Sequence, residues 1–116
     1  MITIYGIKNC TTMKKAFDWC AEHGVDYAFH DYKKSGVSAE RLEQWCQVAG
    51  WQALVNKRGT TWRKLTPQQQ AVDTPAAAIA LMQAHPSVIK RPVVETGQQL
   101  LIGFDPQAFA TICQQS

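Results

Sequence analysis

Apolar positions along this chain fall into short blocks whose spacing switches between two residues and about 3.6. Ile2-Thr3-Ile4-Tyr5 alternates around β-favouring residues and predicts a first strand. Gly6-Ile7-Lys8-Asn9 breaks it. From Thr11 or Thr12, residues Met13, Ala16, Phe17, Cys20 and Ala21 recur at helical spacing and give one apolar face, which His23-Gly24 ends. Val25 to Tyr32 then suits a second strand. Strand, helix and strand in such close order predict a βαβ unit, with a right-handed crossover and parallel pairing.

Lys33-Lys34-Ser35-Gly36 reads as a loop, and Ser38 as the N-cap of a helix with Leu42, Trp45, Cys46 and Ala49 on one face. Gly50 stops that helix. The pattern from Trp51 to Pro86 stays helical but broken, with Pro67 and Pro75 each placed where a first helical turn accepts proline. Ala76 to Ala84 predicts one more helix. Beyond His85-Pro86 the period shortens again: Pro92 to Glu95 and Leu100 to Gly103 predict a hairpin around Thr96-Gly97-Gln98, and Asp105-Pro106 opens a last helix with Phe109, Ile112 and Cys113 inward. The expectation is one α/β domain over residues 1–116, with a helical insertion at about 36–86.

Composition supports a packed chain: 46% of its 116 residues are hydrophobic and 9% aromatic, so disorder is excluded. No run of about 18 apolar residues suits a membrane span. The segment Met1 to Tyr5 lacks the charge and apolar pattern of a secretory leader, and a cytoplasmic location is expected. The net charge of +3 suits small anionic substrates. Direct nucleic-acid binding is not expected, because no dense basic helical stripe or aromatic RNA-binding pattern is present. The four cysteines, Cys10, Cys20, Cys46 and Cys113, form no C-x-x-C pair and no zinc spacing, so neither a metal nor a bound cofactor is expected.

Cys10 stands apart from the other three. It follows the first strand across a short loop and sits at the predicted helix start, where unpaired amide N–H groups and the helix dipole favour a thiolate. Lys8 and Lys14 are expected to add positive potential, and the polar neighbours Asn9, Thr11 and Thr12 do not ask for a buried thiol. Cys20, Cys46 and Cys113 fall on apolar helix faces and read as buried structural thiols. Position 13 is methionine, so the sequence Cys10-Thr11-Thr12-Met13 offers no resolving cysteine, and an external thiol such as glutathione is the simplest source. Arg91-Pro92 is the second informative point: the proline marks a strand start, a bulge or a cis peptide, and Arg91 beside it is placed to clamp an anionic group near the thiolate. Arg58, next to Lys57, is a further candidate for that task. His23, His30 and His85 show no metal-ligand spacing.

Three segments in order, Ile4 to Ala16, Leu54 to Thr60 and Ile89 to Val94, make the whole chain resemble the ArsC/Spx/YffB family of bacterial thioredoxin-fold proteins, in particular its YffB branch. The resemblance implies a four-stranded mixed sheet with flanking helices and a helical insertion. It implies Cys10 as catalytic thiol, Arg91 as the arginine beside the cis-proline, and Pro92 as that proline. Lys8, Asn9, Thr11, Thr12, Arg58, Arg91 and Pro92 become the substrate-binding candidates. The expected activity is that of a monomeric glutathione-dependent thiol oxidoreductase acting on a small anionic or thiol/disulfide substrate, with glutathione as co-substrate and glutaredoxin as a partner.

Two alternatives accompany this reading. Arsenate reductases of this family surround the anion with three arginines; Arg91 matches one, Arg58 is an offset counterpart, and Leu101-Ile102-Gly103-Phe104 supplies none. Spx-like regulators bind a protein partner and often carry a C-x-x-C switch, which Met13 removes here.

Overall fold

A computed structural model describes residues 2–8, 10–97 and 99–115 of the chain. Asn9, assigned a substrate-binding role from sequence, lies outside the described residues, as does Gln98 at the tip of the expected hairpin. The chain divides into two compact units, Met1–Tyr32 with Arg91–Ser116, and Lys33–Lys90.

The first unit is built on a four-stranded sheet in the order β2-β1-β3-β4. Strand β1 (Ile2–Gly6) pairs in parallel with β2 (Tyr27–Asp31) and antiparallel with β3 (Val93–Glu95), which pairs antiparallel with β4 (Leu100–Ile102). Helix α1 (Thr11–Glu22) crosses between β1 and β2, and a short helix α2 (Tyr32–Ser35) follows β2. This mixed sheet with flanking helices is the thioredoxin-like α/β arrangement that the sequence predicts.

Register decides which residues face the helices. Ile4 pairs with Phe29 and Val94, and Val94 with Leu101, so these side chains share a face with Ile2. On that face Met13, Ala16 and Cys20 pack with Phe109, Ile112 and Cys113 of the C-terminal helix in one buried cluster. Phe17 stacks on Tyr27 at 5.3 Å and meets Phe29 edge-on at 5.2 Å, closing the core toward the β2 edge.

Two details of this unit depart from the expectation. The second strand is shorter than Val25 to Tyr32, because the Val25 N–H bonds back to the Cys20 carbonyl at 2.9 Å after Gly24 turns at φ +64°. That closure ends α1 and withholds Val25 from the ladder. Ala21, expected on the apolar face, is exposed, since the stripe centred on Met13, Ala16 and Cys20 rotates past it.

The second unit is helical. Helix α3 (Ala39–Ala49) is capped by the Ser38 hydroxyl, which accepts from the Arg41 N–H at 3.2 Å, and it stops at Gly50, whose φ of +84° suits glycine. Short helices α4 (Trp51–Leu54), α5 (Thr60–Arg63) and α6 (Pro67–Gln70) lead to α7 (Pro75–Ala84) and a 3-10 turn, Pro86–Val88. Thr66 and Gln69 form a reciprocal capping box on α6, and Thr74 caps α7. Leu42, Trp45, Leu54, Ala78, Met82, Val88 and Ile89 are buried here. Ala49 is exposed and Cys46 only half-buried, contrary to the sequence expectation, the buried side chains of α3 being Leu42 and Trp45. The C-terminal helix of the chain, α8 (Pro106–Gln115), belongs to the first unit.

Candidate functional site

Strand β1 ends at Gly6, and the next turn of chain delivers Cys10 to the N-cap of α1. Its backbone is extended (φ −107°, ψ 132°), and its carbonyl accepts the first helical bond, from Lys14 N–H at 2.9 Å. Gly6 is small for a reason: a Cβ there would collide with the Sδ of Met13, which packs over the end of β1. The helix start is thereby held against the strand.

Arg91 arrives from the other end of the sequence. The Arg91–Pro92 peptide is cis and leads directly into β3, with Pro92 buried and its carbonyl accepting from Gly103 N–H at 2.8 Å. The Arg91 Nε donates to the Cys10 Sγ at 3.4 Å. Two candidates separated by 81 positions in sequence thus meet within one unit.

Burial alone pushes the Cys10 thiol up, yet the opposing influences win and its pKa is lowered. The Met13 amide, the Arg91 side chain, the Thr12 amide and the Arg91 charge, in that order, favour the thiolate. Cys10 makes no ideal side-chain capping bond, but the N–H groups that face it are those of the second and third helical residues. The sulfur therefore sits at the N-cap position without making a capping bond, and it is the thiolate that these amides favour. Lys8 and Lys14, expected to contribute, are not among the causes; both line the cleft beside the sulfur instead.

The other thiols behave oppositely. Burial and then Cys113 push Cys20 up to about 11; burial and then Glu43 raise Cys46; burial raises Cys113. Of the four cysteines, Cys10 alone has its thiol pKa lowered.

A cleft of about 570 Å³ opens at Cys10, lined by Lys8, Thr11, Met13, Lys14, Phe17 and Asp18. Thr11 is exposed and Thr12 half-buried. Arg58 is exposed in the second unit, in a turn where its N–H donates to Asn56 Oδ1 at 3.1 Å. Among the described residues no group of three His, Cys, Asp or Glu side chains is placed to hold a metal ion, and no helix is long and apolar enough to cross a membrane.

Sequence reasoning missed two neighbours of this site. Tyr32 is fully buried, and its phenol is held well above the ordinary range by burial and by Tyr5, against the pull of the Arg91 charge. It is a neutral group within electrostatic reach of the arginine. Asp18, joined to Lys14 at 3.3 Å, carries the cleft down α1. Its spacing of four from Lys14 was the available signal.

The ArsC family profile matches residues 5–112. The chain belongs to the ArsC family. An uncharacterized Haemophilus influenzae protein is 41% identical over 109 residues, covering 94% of this chain and 96% of its own length. The structure of the YFFB (PA3664) protein is 51% identical with a TM-score of 0.93, over 97% of this chain and 99% of that one. An arsenate reductase (ArsC) related protein from Brucella melitensis is 48% identical with a TM-score of 0.75, over 95% and 92%. ArsC-family membership and the cysteine-bearing site together are consistent with redox-active enzyme chemistry.

Proposed function

We propose that this ArsC-family chain is a glutathione-dependent thiol oxidoreductase in which Cys10 is the only protein thiol that turns over. The observation that carries the reading is the 3.4 Å contact from Arg91 Nε to Cys10 Sγ at the start of α1, where the thiol pKa is lowered.

The cycle balances without metal or bound cofactor. The Cys10 thiolate attacks the glutathione sulfur of a mixed disulfide GS–S–R, forming Cys10–S–SG and expelling RS⁻, which takes a proton from water. The thiolate of a second glutathione attacks the glutathione sulfur of that adduct. Glutathione disulfide leaves, and the Cys10 thiolate returns to its place beside Arg91. Arg91 orients the anionic group and balances the charge that passes between sulfurs. Lys8, Asn9, Thr11, Thr12, Arg58 and Pro92 are the further substrate-binding candidates, with glutaredoxin as an alternative exchange partner.

The test is the pH dependence of alkylation followed residue by residue. The reading requires Cys10 to titrate below about 8.5, the ordinary thiol value, and glutathione-dependent disulfide reduction to vanish in Cys10→Ser. A Cys10 that titrates at the ordinary value, or activity that survives the substitution, would overturn it.

A further inference from the structure

The cleft beside Cys10 has a charge pattern that the exchange chemistry alone does not use. Lys8 precedes the sulfur in the chain, while Lys14 and Asp18 follow it on one face of α1, one helical turn apart. Met13 and Phe17 supply apolar lining to the same cleft.

Lys14 Nζ and Asp18 Oδ2 are 3.3 Å apart, with side-chain exposures of 79% and 57%. An ion pair so exposed contributes little to folding. A ligand can therefore open it at small cost and take both partners. Side by side, the two charges match the α-carboxylate and α-ammonium of a free amino-acid terminus. Lys8, which lines the same cleft, offers a second cation for a second carboxylate. The cleft thus presents two cations and one anion.

We propose that Lys14 and Asp18 are specificity-determining residues that read the zwitterionic terminus of a small peptide thiol bearing two carboxylates and one ammonium, with Lys8 taking the second carboxylate. This assignment rests on the thiol-exchange reading of Cys10 and adds the residues that select the peptide thiol. No new bond is involved; the residues select which disulfide reaches the sulfur.

The experiment compares second-order rate constants for mixed-disulfide formation at Cys10, followed by intact mass. The probes are glutathione disulfide and the uncharged bis(2-hydroxyethyl) disulfide. The wild-type chain should favour glutathione disulfide, and the ratio of the two constants should fall about three- to fivefold in Asp18→Asn and in Lys14→Gln, the scale of one exposed charge contact. Glutathione disulfide N-acetylated at its amino termini should lose about three- to fivefold of its advantage in the wild type, the share of the Asp18 contact, and be insensitive to Asp18→Asn. A ratio that stays at the wild-type value in both variants overturns the assignment, as does N-acetylation without effect. A wild-type Cys10 that reacts with neither probe faster than free cysteine defeats the thiol-exchange reading itself, and this assignment with it.

Discussion

Arg91 Nε lies 3.4 Å from Cys10 Sγ, and the contact joins the residue before a cis-proline to the residue before a helix. Two independent features of the fold fix it, because Cys10 is carried by the β1–α1 turn and Arg91 by the entry to β3. In Arg91→Met the stem remains and the donor and charge go. Two of the four influences that favour the thiolate are then lost, so the alkylation midpoint of Cys10 should move upward while the Met13 and Thr12 amides keep it from rising further. Turnover of an anionic disulfide should fall by on the order of 100-fold, the usual scale for removing one oriented donor from a charged transition state. Arg91→Lys should retain part of both effects, since it keeps charge without the Nε–H.

Incubation with glutathione disulfide at neutral pH should give a single adduct, on Cys10. Cys20 is fully buried with its pKa at about 11, and burial also raises Cys46 and Cys113. Attack requires the thiolate, so the three competitors are suppressed by their ionisation before access is counted. Peptide mapping checks the site. An internal disulfide between any two cysteines would contradict the monothiol cycle.

Much of this was legible in the sequence because the chain changes period cleanly. The two-residue alternation of Ile2 to Tyr5, the 3.6-residue recurrence of Met13, Ala16 and Cys20, and the proline and threonine starts at 66–67 and 74–75 each carry a local signal that the packing keeps. The four-residue helices α4, α5 and α6 are too short to show a period, and of the three only α6, through Thr66 and Pro67, carries a cap signal. The Cys10–Arg91 pair was legible in part: a thiol at a helix start is a local feature, but its arginine lies 81 positions away. Tyr32 escaped because burial of a phenol beside Arg91 is a tertiary fact. Lys8 and Lys14 were credited with acidifying the thiol from proximity in sequence, whereas the structure gives that work to backbone amides and Arg91.

Met13→Cys should convert the monothiol site into a dithiol one. Met13 is the third helical residue after the Cys10 N-cap, and its amide already faces the sulfur. A cysteine there recreates the C-x-x-C spacing, and mild oxidation should remove 2 Da from the intact chain, with alkylation blocked at both positions. Its side chain is 1% exposed and packs against Gly6, so truncation should also cost about 1–3 kcal/mol of stability in the reduced state. Dependence on external glutathione for release of the first product should then drop, because the second thiol resolves the adduct from within.

Cys10→Ser makes a prediction about stability that separates the thiolate from the cap. A serine hydroxyl is a good N-cap at every pH and should add about 0.5–2 kcal/mol relative to a side chain that does not cap. The wild-type thiolate contributes only when ionised. Its folded pKa is depressed, so between the folded and unfolded pKa values the unfolded chain holds more protons, and stability rises with pH through that window. The contribution is fully present above the unfolded value of about 8.5 and is lost as pH falls through the folded pKa. In urea melts the serine variant should therefore exceed the wild type most at pH 5, with the gap closing as pH approaches 9. A gap independent of pH would mean that the amides of Thr12 and Met13 do not hold charge at this sulfur.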